Sequence, residues 1–526
     1  MTVECAEGQP GQRAGRREWG ALGVLVLPVL LISIDNTVLG FAVPHLSEGL
    51  APSGPQLLWI VDIYSFMLAG LLVTMGTLGD RIGRRRLLLA GAAGFGIASA
   101  LAAYASSPEM LIAARALLGF AGATLMPSTL SLLRNIFLDQ RQRTTAIAVW
   151  ATMFSVGSAL GPVVGGWLLE HYWWGSVFLL NLPVMAVFLV LAPTLVPESK
   201  DPNPGRYDLV SAGLSLVAMI SAVYGMKSLA SHGLGAAGVA SLSAGVLLGV
   251  LFVRRQRTLD APLLDIKLFS NRGFSVSVIT NMLTMIAFIG ALFFITQYLQ
   301  IVLGLSPMRA AFVLVPGLTL AIFTGLFVVR LMRRGGIGPL LLGALLGVAA
   351  GYALMTQLPD TSNRGVWLLA VGFTLVGAGV GAANTITNNT IMSAVGPSKA
   401  GAASAISETA YEVGAAMGTA ILGTIVTAVY ASGLAGVPGI SAAGMDEARQ
   451  TLGGALNVAA DVGETAGTAL MREAGAAFTS AVHVTSLIGA ILVAFAAVQA
   501  FLVLRRPVRI RAGAEEPTSS GGRGRA

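Results

Sequence analysis

The sequence predicts an all-α integral membrane protein with fourteen transmembrane helices, and two features of the chain lead to this prediction. The first is composition: of the 526 residues, 55% are hydrophobic and only 11% are charged, and the mean hydropathy is +0.77. A soluble protein carries about 25% charged residues, so a soluble enzyme, a disordered chain and a disulfide-rich secreted module are excluded. Cys5 is the only cysteine, which excludes an intrachain disulfide and a cysteine metal site.

The second feature is a series of apolar segments long enough to cross a bilayer. They fall at 20–44, 56–78, 87–105, 109–133, 144–169, 174–195, 208–229, 234–253, 274–301, 311–331, 338–357, 366–394, 402–430 and 480–504. Arg13, Arg16 and Arg17 precede the first segment, as in a signal peptide. That segment is too long for a signal peptide and no cleavage site of small residues follows it, so we predict a retained helix.

The basic residues predict the orientation of these helices. Arg115 lies within a segment, and if the N-terminus is inside, five basic residues lie outside: Lys227, Arg309, Arg364, Arg449 and Arg472. The other 27 of the 33 lysines and arginines would then lie on the cytoplasmic side. Because Lys and Arg accumulate on that side, both termini are predicted to be cytoplasmic. The same asymmetry accounts for the net charge of +8, so nucleic-acid binding is not expected.

An internal repeat divides the predicted helices into two halves. Residues 143–166 and 400–423 align without gaps and share a Val-Gly pair followed by a second glycine four residues later. The predicted organisation is a cytoplasmic tail at 1–19, a six-helix bundle at 20–195, two additional transmembrane helices at 208–253, a second six-helix bundle at 274–504 and a cytoplasmic basic tail at 505–526. Parallel repeats of this kind are typical of transporters, whose binding site lies between the halves near the midplane.

Residues 431–478, between the last two segments, are predicted to face outward. Their apolar positions favour a short amphipathic helical pair on the outer surface: Leu452, Leu456, Val458, Leu470 and Phe478. A partly ordered loop fits the same residues equally well. The basic, Gly/Ser-rich tail at 505–526 is typical of disorder.

Four motifs follow one another in the first half. The sequence reads IDNTV at 34–38, followed by Pro44, then GTLGDRIGRRR at 76–86, LIAARALLGFAG at 111–122 and GSALGPVVGG at 157–166. With these motifs the chain resembles the major facilitator superfamily, and within it the fourteen-helix drug:proton antiporters of the QacA-like and LfrA-like multidrug efflux type. The stretches 56–64 and 174–183 are also similar to QacA-like sequences, and the resemblance covers about residues 20–505.

This resemblance implies the major facilitator fold, with two pseudo-symmetric six-helix bundles and two intervening helices. It also implies a proton-coupled efflux antiporter in a bacterial inner membrane, exporting quaternary ammonium compounds, dyes and fluoroquinolones by alternating access. No cofactor is expected, since the proton gradient supplies the energy. The expected partners are lipophilic cationic small molecules, protons and the lipid bilayer, and the chain is expected to be a monomer.

Two of the motifs also have a physical interpretation. The loop at 76–86 contains Gly76, Asp80, Arg81, Gly83, Arg84 and Arg85. A charge network around the Asp80 carboxylate can close the cytoplasmic side, although these arginines also satisfy the positive-inside rule. The fifth segment contains Gly157, Gly161, Pro162, Gly165 and Gly166. Glycines four residues apart form a flat helix face for close packing, and the proline removes a backbone hydrogen bond. An antiport role for this motif is implied by the resemblance alone.

Five ionisable residues lie within the apolar segments: Asp35, Asp62, Glu408, Glu412 and Arg115. Such groups are costly in a membrane and normally mark ion or substrate pathways. Glu412 lies about 15 Å along its helix, near the midplane, and Glu408 lies one turn below it on the same face. Asp62 lies about two turns from the outer end of its helix, near the outer mouth.

A buried carboxyl group can hold a proton, and once ionised it attracts a cation, so proton and drug can compete for one site. Asp35 and the pair Glu408/Glu412 are predicted to be these competing carboxylates. Arg115 is expected beside Asp35, coupling its proton to the motion of the halves. A static Arg–Asp pair that joins the first and fourth helices is almost as good an interpretation.

Aromatic and amide side chains in the same segments form a predicted substrate pocket. They are Trp59, Tyr64, Trp150, Phe154, Asn281, Phe288, Gln297, Tyr298, Asn384, Asn388 and Tyr411. Aromatic rings stack on delocalised cations, although packing explains any single ring equally well. As a set they favour a large hydrophobic substrate over a sugar.

Several function classes are disfavoured by missing motifs. The chain contains no GxxxxGK[ST], HExxH or GxSxG sequence, so ATP-driven transport and enzymatic activity are not expected. Within transport, the alternative is a dedicated exporter of one endogenous or host-made compound. Outside transport, the alternative is a transporter-like sensor, which would normally carry an added soluble domain.

Overall fold

The computed structural model describes residues 13–200, 208–232, 235–259, 262–334, 336–359, 363–395 and 400–504. Within these ranges the chain is helical and contains no β-strand. The helices are α1 Arg16–Leu50, α2 Gly54–Ile82, α3 Arg84–Ala103, α4 Pro108–Ile136, α5 Gln140–His171, α6 Ser176–Leu179, α7 Asn181–Leu195, α8 Leu209–His232, α9 Ala236–Thr258, α10 Arg272–Gln297, α11 Pro307–Met332, α12 Ile337–Met355, α13 Asn363–Ser393, α14 Ala400–Gly418, α15 Thr424–Gly433, α16 Ala442–Gln450, α17 Leu452–Asp461 and α18 Glu464–Leu504.

Fourteen helical stretches are long and apolar enough to cross a membrane, and each contains all or most of one predicted segment. The prediction of an all-α protein with fourteen spans is therefore confirmed. The sixth span is divided into α6 and α7, and the ninth continues past α10 as a π-helical turn at Tyr298–Val302. The thirteenth span consists of α14, a π-helical turn at Thr419–Gly423 and α15. The predicted tail at 505–526 lies outside the described residues.

Helix boundaries follow from local chemistry. The Ser53 hydroxyl accepts a hydrogen bond from the Gln56 backbone N–H, and the Gln56 side chain accepts one from the Ser53 backbone N–H, so a capping box begins α2. Gly83 separates α2 from α3 with φ +111°, a conformation that favours glycine. A Cβ at this position would also lie 2.9 Å from the Glu198 carboxyl carbon, so only glycine fits the junction.

Equivalent glycine faces pack the same pair of helices in each half. A Cβ at Gly161 of α5 would lie 1.9 Å from the Thr37 Oγ1 of α1, and one at Gly418 of α14 would lie 2.6 Å from the Ile286 carbonyl oxygen of α10. Without side chains at these points, the two backbones approach closely. The close packing predicted for the fifth span is confirmed, and its counterpart in the sequence repeat packs in the same way.

Helices α8 and α9 form a pair that lies beside α2. A Cβ at Gly70 of α2 would lie 2.8 Å from Leu216 Cδ1 of α8. Asp208 accepts hydrogen bonds from the Ser211 N–H at 3.0 Å and from Arg255 Nη2 of α9 at 3.0 Å. Burial opposes ionisation of Asp208, but the hydrogen bonds from Arg255 and Ser211 outweigh it and hold the pKa of this carboxyl below its usual value. This ion pair joins the two helices at one end.

We call the end of the molecule that holds the start of α1 and the α2–α3 junction the basic face, and the other end the opposite face. On the opposite face, the Tyr430 hydroxyl donates to the Ala448 carbonyl of α16 at 2.8 Å, and the Asn457 amide of α17 donates to the Ser47 carbonyl of α1 at 3.1 Å. The short helices α16 and α17 therefore pack against the ends of the long ones.

The segment 431–478 is helical, but the predicted helical pair is only partly correct. Leu452, Leu456 and Val458 lie on α17, as one member of such a pair would require. Leu470 and Phe478 belong instead to α18, which begins at Glu464 rather than near residue 480. Both side chains are buried, so this extension of the last span is part of the core.

Candidate functional site

Asp35 of α1 and Arg115 of α4 form a buried ion pair. The Arg115 Nη1 lies 2.6 Å from the Asp35 Oδ2, and both side chains are at most 2% exposed. The Arg115 Nε also donates to the Ile60 carbonyl of α2 at 3.2 Å. The guanidinium carbon lies 4.6 Å from the centre of the Tyr64 ring. The predicted proximity of Arg115 to Asp35 is confirmed, and the pair links three helices.

Asp62 of α2 also has a basic partner, which is not among the candidate residues predicted from the sequence. The Lys227 Nζ of α8 lies 2.7 Å from the Asp62 Oδ2, and the two side chains are 3% and 0% exposed. Lys227 is therefore a second basic residue inside a span, and its assignment to an outside loop was wrong. Asp62 is 1% exposed, so its side chain is buried against α8. The expectation that it lies near the outer mouth stays a prediction.

Glu408 and Glu412 lie one turn apart on α14. Glu412 is 0% exposed, and neither of its carboxylate oxygens has a hydrogen-bond partner among the described residues. Glu408 is partly exposed. In the part of the chain that the structure describes, no lysine or arginine pairs with either glutamate. The two acids of α14 therefore differ from Asp35 and Asp62, which both have an internal counter-ion.

A cavity of about 50 Å³ lies between the two bundles, where α1, α2, α5, α10 and α14 meet. Its wall contains five of the predicted site residues, namely Asp62, Arg115, Phe154, Phe288 and Tyr411. The Phe154 ring of α5 and the Tyr411 ring of α14 meet edge to face, 5.5 Å apart. A cavity of this size holds only a few water molecules, so the site is closed around its centre.

The other predicted pocket residues do not line this cavity. They are Trp59, Tyr64, Trp150, Asn281, Gln297, Tyr298, Asn384 and Asn388. Several bond within their own bundle: the Trp150 Nε1 donates to Thr129 Oγ1 at 3.1 Å, and the Tyr298 hydroxyl donates to the Pro359 carbonyl at 2.6 Å. Asp35, Glu408 and Glu412 also lie outside the wall.

The wall includes polar residues that sequence reasoning missed: Asn36, Thr37, Ser65, Ser158 and Thr419. Asn36 and Thr37 lie within the motif at 34–38, and Ser158 lies within the motif at 157–166, so the motifs held a signal for these three residues. Ser65 and Thr419 carry small hydroxyl groups, which occur in most transmembrane helices, so no sequence pattern distinguishes these two. Lys227 could have been predicted from the sequence, because a lysine within an apolar segment is as unusual as the acids Asp35, Asp62 and Glu412.

The loop motif at 76–86 takes part in a charge network with residues of the first bundle. The Arg84 Nη2 lies 2.7 Å from the Asp80 Oδ1, and the Arg84 N–H donates to the Ser199 carbonyl at 2.8 Å. The Arg85 N–H donates to the Glu198 carboxylate at 3.0 Å. Glu198, just after α7, is thus a second acid in the network that the motif did not reveal. Gly76 packs against Pro127 of α4.

The glycine motif of α5 contacts both bundles. A Cβ at Gly165 would lie 2.2 Å from Val38 Cγ2 of α1, and one at Gly166 would lie 3.0 Å from Met308 Cα of α11. Pro162 lies in the same helix and is buried. Through this motif α5 packs on α1 in its own half and touches the second half near the opposite face.

Comparison with known proteins agrees with this architecture. The sequence profile of the Major Facilitator Superfamily matches residues 25–419. The chain is 50% identical over 503 residues to the multidrug efflux pump LfrA of Mycolicibacterium smegmatis, covering 95% of this chain and 99% of that protein. It is 36% identical to the methyl viologen resistance protein SmvA of Salmonella typhimurium, covering 88% of this chain and 93% of that protein.

A solved structure supports the fold. A bacterial homologue of the human lysosomal transporter Spinster, in an inward-facing and unoccupied conformation, superposes with a TM-score of 0.61 at 18% identity. The alignment covers 94% of this chain and 98% of that one.

Proposed function

Because this chain belongs to the Major Facilitator Superfamily, we propose that it is a multidrug efflux antiporter that exports lipophilic cations in exchange for protons. Relatives across most of its length are named for multidrug efflux and for resistance to methyl viologen. The family is one of transporters, which argues for transport rather than enzymatic activity.

The observation that carries the proposal is the state of Glu412. Its carboxyl group is 0% exposed and lacks a hydrogen-bond partner among the described residues. A carboxylate without a counter-ion in such a place is costly, so the group holds either a proton or a bound cation. Tyr411, the preceding residue, lines the cavity between the bundles. This arrangement supports an exchange of proton for cation at Glu412 and Glu408.

Asp35 has a different role in this proposal. The Arg115 guanidinium already neutralises it at 2.6 Å, and Arg115 itself lies on the cavity wall. An approaching cation competes with Arg115 for Asp35, so the ion pair can couple substrate binding to a rearrangement of α1 against α4. In this way the Asp35–Arg115 ion pair would contribute to the coupling of proton and substrate transport as well as to helix packing.

The cavity favours an apolar cation. Phe154, Phe288 and Phe293 lie on its wall together with Tyr411. Aromatic faces attract organic cations, and the few hydroxyl groups around them offer little to a sugar. Opening of the bundles must enlarge the cavity before such a molecule can enter.

We also infer that the basic face is cytoplasmic and that the membrane is a bacterial inner membrane. The basic face carries the Arg84, Arg85 and Arg86 cluster together with Arg134, Arg141 and Arg143. The positive-inside rule supports this orientation. The opposite face, where α16 and α17 pack, would then be the side of release.

The test is ethidium transport into inverted vesicles with an imposed proton gradient. We expect Glu412→Gln to remove the proton-driven component, because an amide cannot exchange a proton, and Asp35→Asn to reduce it strongly. Glu447→Gln, which changes an exposed acid on α16, serves as the matched control and should transport as wild type does. Unchanged proton-driven transport in both Glu412→Gln and Asp35→Asn would refute the coupling assignment.

A further inference from the structure

The Lys227 side chain occupies a site that has the composition of a cation-binding site. Its ammonium nitrogen lies 2.7 Å from the Asp62 Oδ2 and 4.3 Å from the centre of the Trp59 ring. A carboxylate and an indole face are the groups that bind organic cations in proteins. We propose that Lys227 is a specificity-determining residue, a tethered cation that holds Asp62 and restricts the transporter to substrates with one positive charge. The inference rests on the proposed function and extends it to substrate charge.

The distribution of counter-ions supports a restriction to substrates with one positive charge. Asp35 and Asp62, the buried acids of the first bundle, are paired with Arg115 and Lys227. Of the four acids predicted to lie within the spans, Glu408 and Glu412 have no basic partner among the described residues, and both lie on α14 of the second bundle. Acids that can balance a substrate's charge without displacing an internal cation are therefore present on one side of the cavity only. A cation with a single charge can be balanced there, whereas a rigid dication would leave its second charge unmatched.

The position of Asp62 shows why its pairing with Lys227 affects which substrate charges the cavity can balance. Asp62 lies on the wall of the cavity between the bundles, on the α2 side, and Tyr411 and Thr419 of the thirteenth span lie on that wall as well. Once freed from Lys227, Asp62 would add a carboxylate to the first-bundle wall. The cavity would then carry negative charge on two walls, which is the arrangement that a dication requires.

Lys227 is suited to this role because it comes from outside the two bundles. It lies on α8, one of the two helices between the halves, and reaches α2 from the side. It also lines a larger cavity of about 760 Å³, bounded by Leu58, Thr424 and Arg449, that opens toward the opposite face. The ion pair therefore lies at the boundary between the two cavities.

The experiment compares two organic cations of nearly equal size and different charge. Purified protein in proteoliposomes is assayed for proton-driven transport of methyl viologen, a dication, and of 1-methyl-4-phenylpyridinium, a monocation. We expect Lys227→Met to raise the dication-to-monocation transport ratio about tenfold, a factor within the range of close charge-pair energies. Lys227→Arg keeps the positive charge and should retain the ratio of wild type.

A double variant separates charge from folding. Lys227→Met leaves Asp62 without a partner, which can destabilise the protein, whereas Asp62→Asn/Lys227→Met removes both charges. The double variant should fold and should show the wild-type ratio, because no carboxylate is released. A thermal melt in detergent on every variant verifies folding.

The outcomes distinguish this inference from the proposed function. Suppose that wild-type vesicles exchange the monocation for protons. The antiporter proposal then stands, and the specificity role of Lys227 is refuted by either of two results. The first is an unchanged transport ratio in Lys227→Met, and the second is an equal rise of that ratio in Lys227→Arg or in the double variant. If wild-type vesicles transport neither cation, both proposals are refuted.

Discussion

Asp35 and Glu412 are both buried carboxyl groups in the membrane-spanning region, but their surroundings make them different. Asp35 has the Arg115 guanidinium 2.6 Å away, whereas no hydrogen-bond partner for Glu412 lies among the described residues. Removal of one member of a buried ion pair leaves an uncompensated charge, whereas neutralisation of an isolated carboxyl group removes one. At the scale of single residues, loss of charge at these two sites should therefore affect stability in different ways, although both sites take part in the proposed coupling.

This difference gives a prediction about stability. Arg115→Gln should destabilise the protein by about 3–5 kcal/mol, because it leaves Asp35 buried without its partner. Asp35→Asn/Arg115→Gln should recover part of that loss. Glu412→Gln should leave the thermal unfolding temperature in detergent unchanged or raise it. Equal destabilisation by Arg115→Gln and Glu412→Gln would contradict the assignment of separate roles.

The glycine faces explain how the helices are arranged around the cavity. Helix α5 lies against α1 through Gly157, Gly161 and Gly165, and α14 lies against α10 through Gly414 and Gly418. These contacts bring α1, α5, α10 and α14, which all contribute to the cavity wall, close to the axis between the halves. At the scale of helices, the spacing of small residues therefore determines which faces can meet at the site.

A single added methyl group should test this packing. Gly161→Ala should cost about 1–3 kcal/mol and reduce transport, because the new Cβ would lie 1.9 Å from Thr37 Oγ1. Gly347→Ala in α12 is the matched control, since a Cβ there meets nothing within 4 Å. Thermal unfolding and ethidium transport measure both variants. Equal tolerance of the two substitutions would mean that α5 does not depend on this close contact.

At the scale of the whole molecule, the bundles are joined at the opposite face. The Gln300 amide donates to the Phe41 carbonyl at 3.2 Å, and the Asn457 amide donates to the Ser47 carbonyl at 3.1 Å. On the basic face, the Asp80–Arg84 and Glu198–Arg85 contacts stay within the first bundle. The molecule is therefore closed toward the opposite face, and the proposed transport by alternating access would require these contacts to separate.

A crosslink across the opposite face should stop transport. A Cβ at Gly423 would lie 2.6 Å from Leu58 Cδ2, so Leu58→Cys and Gly423→Cys place two thiols within reach of one another. In a Cys5→Ser background, oxidation of this pair should abolish ethidium export, and a reductant should restore it. The two single-cysteine variants, treated with the same oxidant, are the controls. Full export by the oxidised double variant would show that the two halves need not separate here.

Much of this architecture is determined by the sequence alone. The fourteen spans follow from apolar length, since a helix that satisfies its own backbone hydrogen bonds is stable in a bilayer wherever about 20 apolar residues occur together. The glycine spacing of 157–165 predicted close packing, and the internal repeat indicated that 414–418 would pack in the same way. The five ionisable residues were identifiable because charges are rare within the spans.

Only the tertiary structure decided which charges compensate one another. Asp35 with Arg115 was foreseeable as a pair, but Asp62 with Lys227, and Arg85 with Glu198, join residues that are more than a hundred positions apart. The sequence contains no periodicity that links such positions, because their distance depends on how whole helices pack. Electrostatic energy falls with separation, so the roles of Asp62 and Lys227 depended on a 2.7 Å contact that folding alone creates.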